Sequence, residues 1–225
     1  MKPSSFLFTL FLALFALAGA QASEPGTIAQ ALKRSISLDD DMTDWDGLPV
    51  YAVNLSNSES PEAVSQQGYF NVAWDDTYLY IRGVFEQPQS SLTVGLTEDA
   101  EEWWNADTLE VFVQLTPEST LHYAANPDGT GFTNFLTDNY FETYSSVTED
   151  SWTLQLAFPL GVNALPLIQT EDVWEFKVGR GNTSIKEYSL WPLGGDFLGE
   201  ENYGLIYFTK QIESESIISE KLRDR

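Results

Sequence analysis

Period-two alternation in short runs is the feature that most restricts the fold of this chain. Residues 108–115, TLEVFVQL, alternate apolar and other side chains, and WTLQLAFPL (152–160) and VWEFKV (173–178) repeat the pattern. Because successive side chains of an extended strand point to opposite faces, this spacing predicts strands with one buried face. Helical periodicity is scarce, and no internal repeat suggests a propeller or a solenoid. We therefore expect an all-β fold, an antiparallel β-sandwich with two sheets of the jelly-roll or immunoglobulin-like kind.

Turn residues support this interpretation. The clearest hairpin joins residues 69–74 to residues 78–86 through Asp75, Asp76 and Thr77. Asp residues favour turns because their side chains accept hydrogen bonds from the backbone nearby. We interpret Asp75 and Asp76 as turn residues for this reason, and not as a pair of catalytic carboxylates.

The first residues have the character of a targeting segment. Lys2 precedes an apolar run from Phe6 to Leu17, and small residues follow up to Ala22. This pattern is typical of a secretory signal peptide, and the run is short for a transmembrane anchor. The sequence divides into a signal peptide (1–22), an N-terminal lead (23–35), one β-sandwich domain (36–210) and a charged tail (211–225). We expect a secreted, periplasmic or cell-surface protein.

Composition excludes several classes of function. The chain has 34 Asp and Glu against 11 Lys and Arg, so an acidic surface disfavours nucleic acid and anionic membranes as partners. It has no cysteine, which excludes disulfides and a lipidated-cysteine anchor. His122 is its one histidine, and neither Gly-x-Ser-x-Gly nor a phosphate-binding glycine loop occurs. We expect a protein that is not an enzyme.

The chain is rich in aromatic residues, with 14 Phe, 10 Tyr and 7 Trp, and these bear most directly on its function. Two of them, Trp103 and Trp104, lie side by side before the strand at 108–115 and follow two glutamates. Apolar faces of sugars stack on such rings, and neighbouring carboxylates accept hydrogen bonds from sugar hydroxyls. Since neighbours in an extended segment point to opposite sides, we expect one indole to face inward and the other outward.

Acidic residues also suggest a cation. The loop DDDMTDWD (39–46) is rich in the oxygen ligands that calcium prefers, but Met42 breaks the EF-hand spacing. We interpret this loop as a solvated acidic segment. Candidate ligands for a structural calcium ion are Asp44, Asp46 and Asp107, and the proposed function requires no cofactor.

Several phrases in order resemble the family 9 carbohydrate-binding modules, within the wider DOMON-like sandwich group. The resemblance runs from about Ile36 to Phe208. Its landmarks are ISLDDDMTDWDGLP, FNVAWDDTYLYIRGVF, WWNADTLEVFV, HYAANPDG, WTLQLAFPL and SLWPLGGDFLGEENYGLIYF.

The resemblance implies that two aromatic rings clamp a terminal sugar. One ring belongs to the Trp-x-x-Asp phrase and is Trp104, with Glu110 downstream as a hydrogen-bonding partner of sugar hydroxyls. The other lies seven residues before Gly204 and is Phe197, where the family usually has tryptophan. Trp191 and Trp103 are secondary candidates for ligand contacts.

Other polar positions depart from the family pattern. His122 stands near the place of a strand arginine. Gly179 takes the place of a glutamine beside Arg180, and Gly194 that of an asparagine. The resemblance therefore implies a ligand set of Trp104, Phe197, Glu110, Arg180 and His122, while the family's usual ligand preference does not transfer.

The function predicted from the sequence is an exported, non-catalytic carbohydrate-binding protein that stacks a sugar between aromatic rings, either as a free binding protein or in the service of a separate enzyme of polysaccharide breakdown. Two alternatives stay open. DOMON-like relatives include haem-binding redox domains, for which Met42 and His122 are the available axial ligands. A cell-surface domain that uses its aromatic residues to bind a partner protein is the other.

Overall fold

The structure, a computed structural model, describes residues 28–53, 63–94, 104–116, 119–134, 141–162, 165–193, 198–199 and 202–223. In these ranges the chain forms twelve strands and one α-helix. The strands are β1 (Ile28–Lys33), β2 (Tyr51–Ala52), β3 (Gly68–Trp74), β4 (Tyr78–Glu86), β5 (Thr108–Thr116), β6 (Ser119–Ala125), β7 (Gly131–Thr133), β8 (Glu142–Val147), β9 (Ser151–Pro159), β10 (Val173–Asn182), β11 (Glu187–Trp191) and β12 (Gly204–Thr209). The helix is α1 (Glu215–Arg223), and short 3-10 turns lie at Met42–Trp45 and Gln89–Ser91.

Apart from β1, the strands form two antiparallel sheets. The first sheet has the order β7-β6-β5-β10-β12, with β11 also paired to β10. The second sheet has the order β3-β4-β9-β8, with β2 also paired to β3. The predicted all-β sandwich is therefore confirmed.

Strand β1 joins the two sheets and is parallel to both neighbours. Ile28 to Leu32 pair with β12, and Leu32 and Lys33 pair with β3. The hydrogen-bonded ladder is thus continuous across the sandwich, and the architecture is mixed where a wholly antiparallel one was predicted. The lead assigned to residues 23–35 was wrong for 28–33, because Ala29 and Ala31 are fully buried in the core. Alanine is a weak strand signal, so the sequence does not mark this strand.

The core lies between the two sheets and follows the predicted alternation. Leu109, Val111 and Val113 of β5 are fully buried. The inward residues of β9 share this cluster: Trp152, Leu154, Leu156 and Phe158. The odd-numbered positions of β5 therefore face the core, and the even-numbered ones face away from it.

A loop covers the outer face of the second sheet. Trp45 in the 3-10 turn packs with Tyr80 and Ala157 in a second, smaller cluster. The Trp45 Nε1–H donates to Gln155 Oε1 at 2.8 Å. Arg34 donates to the backbone oxygens of Asp44 and Asp46 at 2.9 and 2.7 Å. This acidic loop is therefore part of the scaffold.

The hairpin between β3 and β4 has the predicted turn. Asp75 Oδ1 accepts from the backbone N–H groups of Thr77 and Tyr78 at 2.7 and 2.9 Å, and Oδ2 accepts from the Tyr80 hydroxyl at 2.8 Å. Burial raises the pKa of the Asp75 carboxyl, but these bonds and one from Ser35 outweigh it and hold the pKa below its ordinary value. Asp76 pairs with Lys33.

The tail is packed against the sandwich rather than separate from it. Ile218 of α1 is fully buried, and Lys221 donates to the Tyr207 hydroxyl of β12 at 3.1 Å and to Glu171 at 2.7 Å. Within the described ranges, no helix combines the length and the apolar character that a bilayer crossing needs.

The sheet-joining role of β1 is testable by substitution. We expect Ala31→Asp to lower the free energy of unfolding by about 3 kcal/mol or more, because it places a carboxyl in the apolar core. Ala63→Asp, at an exposed position, is the matched control and should change stability by less than about 0.5 kcal/mol. Urea denaturation measures both. Equal effects would show that the N-terminal strand is not part of the cooperative fold.

Candidate functional site

The outer face of the first sheet carries an unusual set of side chains. Cross-strand pairing arranges them in rows: Tyr188, Gly181 and Thr108 form one row, then Leu190, Gly179, Glu110, Ala124 and Phe132, then Lys177, Phe112 and His122. Glu110 is central, with Gly179 and Ala124 on either side of it, and aromatic residues lie in all three rows. We call these eleven residues the outer face.

Glu110 and His122 meet on this face. Glu110 Oε2 lies 2.8 Å from His122 Nε2, and Oε1 accepts from the Thr108 hydroxyl at 2.9 Å. The Thr108 oxygen in turn accepts from the backbone N–H of Gly181 at 3.2 Å. The network fixes the carboxylate in one orientation, and it leaves 5% of the Glu110 side chain and 11% of the His122 side chain accessible.

Aromatic rings hold the ionisable groups in place. The His122 ring stacks on Phe112 with a centroid distance of 4.2 Å and an angle of 10° between the rings. Lys177 Nζ lies 4.7 Å from the Phe112 centroid and 4.8 Å from that of Tyr203, and it donates to the Gly199 oxygen at 2.7 Å. These contacts compensate the desolvation of a fully buried ammonium group. No local pattern in the sequence marks Lys177, because only the strand pairing places it beside Phe112.

Trp104 lies at the start of this face, just before β5. Its side chain is 54% exposed, whereas the other five tryptophans in the described ranges are buried. Flat apolar rings that remain exposed at a protein surface serve as contact surfaces for ligands. Trp103, predicted as its inward-facing neighbour, lies outside the described residues.

Asp107 fixes the start of β5. It is completely buried, and its oxygens accept from Gln87 Nε2 at 2.7 Å, from the Thr93 N–H at 2.8 Å and from the Thr183 N–H at 2.7 Å. Three N–H donors therefore hold this carboxylate in place. Asp107 anchors the segment that carries Trp104, a role that no local pattern in the sequence indicates.

Comparison with known proteins agrees with the predicted resemblance. Residues 41–155, half of the chain, match the model of the carbohydrate family 9 binding domain-like family. The chain belongs to this family. No curated protein matches the sequence.

Solved structures of family 9 modules have the same fold. A carbohydrate-binding module of family 9 from Caldicellulosiruptor kristjanssonii in complex with glucose is 15% identical, with a TM-score of 0.61 over 84% of this chain and 98% of that one. The module in complex with cellotriose is also 15% identical, with a TM-score of 0.62 over 84% and 97%. A putative carbohydrate-binding protein from Bacteroides uniformis is 13% identical, with a TM-score of 0.64 over 81% and 99%.

Arg180, a predicted family ligand contact, lies on the inner side of its strand. It pairs with Leu109, and its guanidinium lies 5.1 Å from the Phe85 ring and donates to the Gln66 and Glu86 backbone oxygens at 2.7 and 3.0 Å. Burial lowers its pKa to about 10, although nearby carboxylates, Asp107 first, oppose the shift. The prediction of a sugar contact was wrong, since Arg180 has the same parity as the core residues of β10.

Trp191 is also a structural residue. It pairs with Val178 and is 1% exposed. Its ring lies 5.2 Å from that of Phe70 and 6.1 Å from that of Phe176. Its prediction as a secondary ligand contact was wrong, because its ring faces are in the core. Phe197 and Gly194, two further family positions, lie outside the described residues.

Carboxylates of the acidic loop accept hydrogen bonds from backbone N–H groups in the loop and next to it. Asp44 Oδ2 accepts from the Ser37 N–H at 2.9 Å, and Asp41 Oδ1 accepts from the Thr43 N–H at 3.1 Å. The backbone oxygen of Asp46 accepts from the Arg34 guanidinium, as described above. Over the described ranges, no three acidic or histidine side chains are grouped as a metal site would require.

Met42 and His122, the axial ligands of the haem alternative, lie far apart. Met42 packs against the small cluster on the outer face of the second sheet, and His122 lies on the outer face of the first. Packed sheets are about 10 Å apart, so the entire core separates the two side chains. One haem cannot bind both, so the structure does not favour the haem alternative with this pair of axial ligands.

The anchoring role of Asp107 gives a stability prediction. We expect Asp107→Asn to lower the free energy of unfolding by about 2–4 kcal/mol, because the amide NH₂ would face N–H donors and leave buried groups unpaired. Asp128→Asn is the matched control, since the exposed Asp128 accepts one N–H, from Thr130, and an amide oxygen replaces it. Chemical denaturation compares the two variants. A similar, small effect of both would contradict the role of Asp107.

Proposed function

We propose that this protein binds carbohydrate at the outer face, with Trp104 as the stacking ring and the Glu110–His122 pair as the polar contact. The observation that carries the proposal is the exposure of Trp104 at the start of a strand whose outward side presents a fixed carboxylate. Membership of the carbohydrate family 9 binding domain-like family supports it. Two structural neighbours were solved with glucose and with cellotriose.

The chemistry of the face suits a sugar. The indole offers an apolar surface for the C–H face of a pyranose, and a rigid ring loses little entropy on binding. Glu110 is acceptor-only when ionised and has more acceptor sites than its two partners use. A sugar hydroxyl that donates to this carboxylate would be oriented by the same network that orients Glu110.

We also propose that the site binds sugar without cleaving it. Hydrolysis of a glycosidic bond uses two carboxyl groups about 5–9.5 Å apart. In the described part of the outer side of this sheet, the next carboxylate is Glu175, four residues along β10 from the partner of Glu110, or about 13 Å along the strand. Asp107 is completely buried, and its carboxylate accepts from three N–H donors of the fold.

The proposal includes a cellular role. Residues 1–22 have the character of a secretory signal, so the protein would act outside the cytoplasm. There it would hold oligo- or polysaccharide for a separate enzyme of polysaccharide breakdown. Ring stacking and hydrogen bonds need no cofactor, and a structural calcium ion would serve stability only.

The proposal is tested by replacing the exposed indole. A glycan array with the purified protein selects sugars, and calorimetry then measures their affinities for the wild type and for Trp104→Ala. We expect the substitution to weaken binding at least about 30-fold, or about 2 kcal/mol, as for a central interface aromatic.

Tyr144→Ala is the control for this experiment, because Tyr144 lies on β8 in the other sheet and pairs with the outward-facing Gln155. It should bind sugar like the wild type. Undiminished binding by Trp104→Ala would refute the assigned site, and an array without any sugar signal would refute the function.

A further inference from the structure

Arg180 places a positive charge inside the sandwich without a carboxylate directly beside it. Among the described residues, the oxygens that accept from its guanidinium belong to amide groups. They include the backbone oxygens of Gln66 and Glu86, at 2.7 and 3.0 Å, and Gln87 Oε1, at 3.1 Å. The residue is 2% exposed. A buried charge is costly unless an opposite charge compensates it, so this arginine needs a counter-charge further away.

The counter-charge is the Asp107 carboxylate, which Gln87 connects to Arg180. Gln87 Nε2 donates to Asp107 Oδ2 at 2.7 Å, and Gln87 Oε1 is the oxygen that accepts from Arg180. Gln87 and Asp107 are both completely buried. Burial lowers the pKa of Arg180, and of the carboxylates that oppose this shift Asp107 has the largest effect. One amide group therefore joins a buried cation to a buried anion.

The partners at its two ends allow the Gln87 amide only one orientation. Gln87 Oε1 also accepts from Trp152 Nε1 at 3.2 Å. If the amide were turned over, its NH₂ group would face the N–H groups of Arg180 and Trp152, and its oxygen would face the Asp107 carboxylate. Each buried group left unpaired in this way would cost free energy. Arg180 thus fixes Gln87, and Gln87 fixes one oxygen of Asp107.

Both proposed ligand contacts are close to Asp107 in the chain. Trp104 lies three residues before it, and Glu110 lies three residues after it on β5. The second oxygen of Asp107 accepts from the Thr183 N–H at 2.7 Å, so a rotation of the carboxylate would break hydrogen bonds on both of its sides. The orientation of Asp107 therefore determines where the segment with Trp104 and the start of β5 lie.

Stability alone does not account for a charge at this position. Arg180 has the same parity on β10 as Phe176 and Val178, which are completely buried in the apolar core. Apolar residues in place of buried charged groups are often equally stable or more stable, because they avoid the cost of desolvation. In some proteins, buried charged groups instead specify one arrangement of the groups around them.

We propose that Arg180 is a positioning residue of the sugar site. Through Gln87, its charge holds the Asp107 carboxylate, and thereby Trp104 and Glu110, in the arrangement that binds sugar. This inference rests on the proposed function and adds to it a residue that acts without touching the ligand.

The test measures sugar affinity in variants that disturb this connection. Calorimetry with the strongest ligand of the glycan array compares the wild type with Arg180→Met and Gln87→Glu. Arg180→Met removes the charge and keeps a long side chain, whereas Gln87→Glu keeps an acceptor for Arg180 and turns a carboxylate oxygen toward Asp107. We expect each substitution to weaken binding about tenfold, which is within the range for residues that act without ligand contact.

Ile218→Ala is the matched control, because it destabilises the fold far from the site. Ile218 is completely buried, and its helix contacts Tyr207. Tyr207 pairs with Val173, which is seven residues from Arg180 along β10, or about 23 Å. The control should lower the melting temperature, as the loss of buried methyl groups does, and bind sugar like the wild type. Thermal melting ranks the stabilities and shows that each variant is folded.

Two results would overturn the positioning role. One is wild-type affinity in both Arg180→Met and Gln87→Glu, and the other is an equal loss of affinity in Ile218→Ala, since binding would then follow stability. If Arg180→Met does not fold, the affinity of Gln87→Glu alone supports or overturns the proposal. Both overturning results leave the proposed function standing, because the wild type still binds sugar. A wild type that binds no sugar would overturn the inference together with that function.

Discussion

The buried carboxylate of Asp107 is the interaction on which the rest of the site depends. It joins the end of β4 through Gln87, the segment before β5 through Thr93, and the β10–β11 turn through Thr183. Inside a sandwich these hydrogen bonds are stronger than in water, and each would be costly to leave unmade. Three separate parts of the chain are therefore fixed relative to Trp104, which gives the proposed site its rigidity.

Alternation along the strands predicted the sandwich and most of its core, because burial on one face imposes a period of two. The same rule, applied further along β10, places Arg180 on the core side with Phe176 and Val178. The family resemblance predicted a ligand contact for Arg180. The alternation of side chains along β10 instead predicts the buried position that the structure shows. Strand β1 was missed since its inward residues, Ala29 and Ala31, carry little hydrophobic signal.

The sequence alone does not predict which side chains meet at the site, because strands that are distant in the sequence bring them together. Trp104 and Glu110 follow from a local phrase in the sequence, and the structure places the Glu110 carboxylate against His122. Tyr188 and Lys177 have no such signal, because their positions depend on the register of β10 with its neighbours. Side chains that share a face through pairing are separated by many residues in the chain, so local patterns do not reveal them.

A nuclear magnetic resonance titration tests the central claim most directly, because each tryptophan indole N–H gives its own signal. The N–H groups of Trp45, Trp74 and Trp152 are buried and donate within the fold. Addition of cellotriose should shift the Trp104 indole and the amides around Glu110, while those three signals stay in place. Two results would contradict sugar binding at Trp104 and Glu110. One is that only residues on the outer face of the second sheet shift, and the other is that no sugar of a wide panel causes any shift.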